Sequence, residues 1–134
     1  MLARLLLSGF LLAHAAIHAG FLSPRPTATA DGPAWPFQLD RSWFLDRFGV
    51  DAGTRRVLAV ALVVVTLAGF ALAALAVLQL VPVDLWVPAA TIGSAGSIGL
   101  LVLFFHRWLI LGLAIDVAIL VVVRALDWAP DTGL

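Results

Sequence analysis

Four ionisable side chains fall within or at the edge of long apolar stretches: His14, His18, His106 and Asp116. Charged groups in hydrocarbon are expensive, so each is a candidate for function. His14 and His18 are four residues apart, which places them one turn apart on one face of a helix. Such a pair can chelate a metal. With His106 or Asp116 completing the set, the donors would be nitrogen and oxygen, suited to a divalent zinc, iron, copper or manganese ion. The same groups could instead relay protons or ions. A third reading is structural, with His14 hydrogen-bonded to Asp116 and pinning two helices together. Haem ranks lower, because two axial histidines must meet at one depth and only His18 with His106 approaches that. The sequence leaves these alternatives open.

The elements that must position these groups follow from composition. Of 134 residues, 63% are hydrophobic and 12% charged, about half the charged share of a soluble domain. Mean hydropathy is +1.09, which points to an integral membrane protein. A helix crossing a bilayer needs roughly 20 apolar residues, and four runs supply them: Leu5 to Leu22, Val57 to Val81, Leu85 to Phe105 and Trp108 to Leu126. The expected fold is all-α, a four-helix bundle forming a single transmembrane domain over residues 1–134. Period-two alternation is absent, and a barrel would need more strands than this length could hold. Tryptophans at the expected span boundaries (Trp86, Trp108 and Trp128) and in the first loop (Trp35 and Trp43) resemble an interfacial belt.

At 1.5 Å per residue, His14 lies about 12 Å and His18 about 6 Å from the loop-side end of the first span; Asp116 lies about 12 Å from the same side. His14 and Asp116 therefore match in depth. With His106 at the surface, the four form a ladder, provided that the first and fourth helices are neighbours. Gly112 lies one turn before Asp116, where a small residue admits a close neighbour. Ala95, Gly99 and His106 share a face of the third span, and Ser94 and Ser97 are expected to point away from the ladder. The run from Gly93 to Gly99 reads as a close-packing surface, with an unwound binding segment as the rarer alternative. Thr91 and Gln79 are expected to be satisfied within or between helices, and Asp84 to cap the third helix.

The connections are unequal. Val81 to Asp84 and His106-Arg107 are tight turns, whereas residues 23–53 form a long loop. Its first part holds Pro24, Pro26, Pro33 and Pro36 and reads as extended. Its second part, Asp40 to Phe48, reads as a short interfacial helix, with Asp40 as a possible N-cap and Gly49 as a stop. The loop is read as a tether in preference to a lid. Arg25, Arg41, Arg47, Arg55, Arg56 and Arg107 lie on the side of the first and third loops, which the positive-inside rule makes cytoplasmic. The N-terminal residues also resemble a signal peptide ending near Ala13-His14-Ala15, but the apolar run continues to Leu22, which favours a retained helix.

An arginine near the start of the first span, a long first loop and three tightly connected spans resemble the layout of DoxX-type small membrane proteins. The text around Trp35-Pro36-Phe37 and Ser42-Trp43-Phe44-Leu45 is also similar to that of uncharacterised four-span proteins of GC-rich bacteria. The resemblance implies a span order and no activity, and it transfers no functional residue.

All eight basic residues are Arg, all eight acidic residues are Asp, and the net charge is zero, so nothing points to nucleic acid. The absence of Cys excludes disulfides, thiolate metal sites and thiol nucleophiles. No phosphate loop, nucleophile elbow or zinc-protease signature occurs. The leading expectation is a binding or accessory module in the inner (plasma) membrane, in contact with lipid and assembled with copies of itself or another membrane protein. The alternative is a metal- or proton-dependent enzyme or transporter built on the His/Asp cluster.

Overall fold

The computed structural model describes residues 1–24, 35–39 and 41–126. Among these there is no strand, and the chain runs through four helices: α1 (Leu2–His18), α2 (Ala52–Val77), α3 (Trp86–Leu103) and α4 (Ile110–Leu120). Short 3₁₀ turns extend α1 to Leu22 and lead into α3 and α4. With these extensions, all four are long and apolar enough to cross a membrane, as the composition of a multi-pass membrane protein requires.

Local chemistry sets the ends. The Asp51 carboxylate caps α2, accepting from the Thr54 N–H at 3.0 Å and from its hydroxyl at 2.6 Å. Those bonds hold the Asp51 pKa below the ordinary carboxylate value. This cap starts α2 at Ala52, five residues before the apolar run. The helix stops where Gln79 takes a left-handed conformation, φ 59°. There the Leu80 N–H donates to the Leu75 carbonyl and the Gln79 N–H to that of Ala76, a Schellman end built without glycine. Asp84 does not cap α3, because it lies inside the 3₁₀ turn Val83–Leu85 and the N-cap position is Leu85. Pro88 is tolerated in the first turn of α3, where its missing N–H would have no helical partner. The end of α4 widens into a π turn over Val121–Ala125.

The helices pack in chain order, α1 on α2, α2 on α3 and α3 on α4, and α1 does not lie along α4. The α2–α3 contact is the closest. A β-carbon on Gly69 would stand 2.5 Å from the Gly93 nitrogen, so the two backbones touch. The Ser8 hydroxyl ties α1 to α2 by donating to the Ala74 carbonyl at 3.1 Å. Two apolar clusters form the core. One centres on Leu11, Phe70, Ala74, Trp86 and Ala90, the other on Phe21, Val63, Leu100 and Phe104. A group of buried polar side chains lies between them, and Leu67 packs against both.

The long loop docks on the bundle. Ser42 and Trp43 donate to the carbonyls of Leu103 and Val102, at 2.5 and 2.6 Å, satisfying acceptors that the end of α3 leaves open. Gly49 closes the short turn Leu45–Phe48 with φ 66°, in the stopping role expected of it. The helix is one turn long, shorter than the expected Asp40 to Phe48, and Ser42 begins it by accepting from the Leu45 N–H. Asp40, Arg25, Pro26, Pro33 and Trp128 lie outside the described residues. Arg55 pairs with Asp46, joining the turn to α2.

Candidate functional site

Between the two apolar clusters, four side chains from three helices close a chain of hydrogen bonds. α1 supplies His14 and His18, α3 supplies Ser97 and α4 supplies Asp116, and all four are buried. His14 Nε2 lies 2.8 Å from Asp116 Oδ1. The Ser97 hydroxyl donates to Asp116 Oδ2, and its oxygen lies 2.6 Å from His18 Nε2. His18 Nδ1 is 3.0 Å from the His14 carbonyl. The depth match between His14 and Asp116 thus becomes a direct contact, although the backbones of their helices stay apart.

Aromatic neighbours fix the imidazoles. Phe70 meets the His14 ring edge-on at 5.2 Å, and Phe10 lies parallel to it at 6.2 Å. The two imidazoles stand edge to face, 5.0 Å apart. A carbonyl only accepts, so His18 Nδ1 carries a hydrogen and, in the neutral ring, Nε2 is a lone pair aimed at Ser97. Ser97 has one hydrogen and two partners. That hydrogen goes to the Asp116 carboxylate, and the Ser97 oxygen stands next to His18 Nε2.

His14, His18 and Asp116 each offer a ligand atom within 4.8 Å of the others. His106 is not among them. It is half-buried beyond α3, with its Nδ1 accepting from the Trp108 N–H at 3.3 Å. Extrapolating the helix from Gly99 to His106 fails because the chain leaves helical geometry at Phe104 (φ −112°, ψ 44°) and is extended at His106. Ser97, by contrast, belongs to the site although its helical phase suggested otherwise. Ser94 is also buried, but its hydroxyl has no hydrogen-bond partner.

The cleft between α1 and α4 borders the cluster on both sides. Toward the loop, a cavity of about 120 Å³ is lined by His14, His18, Phe37, Trp108, Gly112 and Ile115, among others. Phe37 comes from the long loop, packs on Phe21 at 5.1 Å and covers Gly20, where a β-carbon would stand 2.9 Å from its ring. This part of the loop acts as a cover, not only as a tether. Toward the other end, an open groove of about 620 Å³ is lined by apolar residues, including Leu7, Phe10, Ile115, Ala118 and Val122. No protein-family model, curated protein or solved structure matches the chain. The chemistry of the site rests on its own geometry.

Proposed function

We propose that this protein is a small multi-pass protein of the inner (plasma) membrane that works as a binding or accessory module, with the α1–α4 cleft as its working face. The observation that carries this reading is the uneven burial of the helices. Only 17% of the most apolar stretch of the fourth helix is buried, against 50% for the third. Apolar surface left open by the fold is covered by lipid or by a partner helix. The α4 side offers a groove, whereas α2 exposes Val64 away from any groove-lining residue. The partner is a transmembrane helix of a second copy or of another membrane protein, with lipid around the remainder. Four helices leave little room for an enclosed aqueous path, so a transport role would also need assembly.

The chain lacks cysteine, so a single introduced thiol reports without background. Val122→Cys lies in the groove and Leu111→Cys on the exposed part of α4, while Val64→Cys marks the outer face of α2. Crosslinking in native membranes is expected to give a dimer or a larger adduct from the α4 variants and little from Val64→Cys. Equal, weak crosslinking from all three, with the chain migrating as a monomer, would overturn the reading.

A further inference from the structure

We infer that His14, His18 and Asp116 form a binding site for one divalent transition-metal ion of the zinc or iron(II) class. The donor set selects that class. Two imidazoles and one carboxylate suit borderline ions, whereas magnesium and calcium prefer oxygen alone and copper(I) prefers sulfur. The chain has no thiol to offer.

Geometry supports three ligands. Metal bonds of about 2.0–2.2 Å imply separations of roughly 3.4 Å between tetrahedral ligand atoms. His14 Nε2 and Asp116 Oδ1 stand 2.8 Å apart, a hydrogen-bonded spacing, and the three ligand atoms lie within 4.8 Å of one another. A metal therefore requires the close pair to open by about half an ångström and wider pairs to draw in. α1 and α4 are not packed along their length, so little helix packing between them resists this movement.

The surroundings also have the form of a metal site. His18 donates its Nδ1 hydrogen to the His14 carbonyl, which leaves Nε2 as the ligating atom, and Ser97 orients the carboxylate of Asp116. Such outer partners fix tautomer and orientation at histidine–carboxylate metal centres. The fourth position has room in the cavity of about 120 Å³ beside both imidazoles, large enough for water or a small anion. A dication held by one carboxylate retains one positive charge, which an anionic fourth ligand balances.

The test uses the full chain purified without a polyhistidine tag, stripped with chelator and titrated with zinc or cobalt(II) in nanodiscs. One zinc per chain is expected, together with the visible bands of tetrahedral cobalt(II). His18→Gln and Asp116→Asn should weaken binding by more than the roughly 10- to 100-fold caused by loss of an outer partner, the loss expected for Ser97→Ala. His106→Ala should bind as the parent does. Helical circular dichroism and thermal melting identify folded variants, and His18→Gln carries the test if Asp116→Asn does not fold. Folded parent chain without stoichiometric metal would overturn the inference, as would undiminished binding in folded His18→Gln or loss of binding in His106→Ala. Failure here leaves the crosslinking result for the α1–α4 face untouched, so the two proposals fail separately.

Discussion

The α2–α3 contact and the α1–α4 cleft solve the same problem in opposite ways. α2 and α3 meet backbone to backbone at Gly69 and Gly93, and the Cβ position of Gly96 is bounded by Thr66 and Val65. α1 and α4 keep their main chains apart and are joined by His14 and Asp116, with unfilled space on either side. Dispersion and close fit hold the first pair, and their strength depends on the absence of gaps. A hydrogen-bonded cycle holds the second and depends on every donor finding an acceptor. The difference separates scaffold from site: the tight pair fixes where Ser97 stands, and the open pair leaves the histidines and the carboxylate beside space that a ligand could use.

Substitutions break the two sides differently. The largest loss is expected on the tight side. Gly69→Ala forces the backbones of α2 and α3 apart and should cost about 1–3 kcal/mol, read from the unfolding transition. Gly99→Ala is the internal control, because its β-carbon would meet Leu62 at an ordinary 3.6 Å and stability should barely change. On the open side, Asp116→Ala removes the acceptor for His14 and Ser97 and should cost about 1–2 kcal/mol. Its distinguishing sign is loosening of α1 from α4 with α2–α3 intact, visible as amide exchange in α1. Ser8→Ala deletes a single bond to a carbonyl and should cost about 0.6 kcal/mol.

Ala118→Leu fills the apolar groove from an exposed position, so stability should move by less than about 0.5 kcal/mol, while crosslinking from Val122→Cys should fall. The smallest effect belongs to neither side. Asp51 is held below its ordinary pKa of 3.8 by Thr54, so its capping contribution is complete above that value and is lost as pH falls through the lowered one. A fall on acidification in the protection of the Thr54 amide, taken relative to its intrinsic exchange rate at each pH and abolished in Asp51→Asn, checks the sign.

Much of the scaffold was legible in the sequence. Runs of apolar residues locate the helices, and depth along them pairs His14 with Asp116. The ends were less legible. α2 begins at an Asp51 cap that lies outside the apolar run, and it stops at Gln79, a residue with little intrinsic preference for the left-handed conformation. Helical phase hides Ser97, because the face shared by Gly99 and His106 excludes it. α3 is buried on several faces, so sharing no face with Gly99 does not exclude a side chain from the interior. Depth would have found it. Ser97 lies eight residues before Phe105, about 12 Å from the loop side, level with His14 and Asp116. The cover formed by Phe37 depends on the path of a long loop, which no periodicity encodes.

A polar bridge, and not close packing, joins α1 to α4. A double-mutant cycle on His14→Ala and Asp116→Ala, measured by reversible unfolding in a fixed bilayer mimic, isolates that bridge. The predicted coupling is about 0.6–1.7 kcal/mol, the span found for hydrogen bonds between membrane helices. Strictly additive losses, with no coupling between the two positions, would show that no such bridge joins the helices.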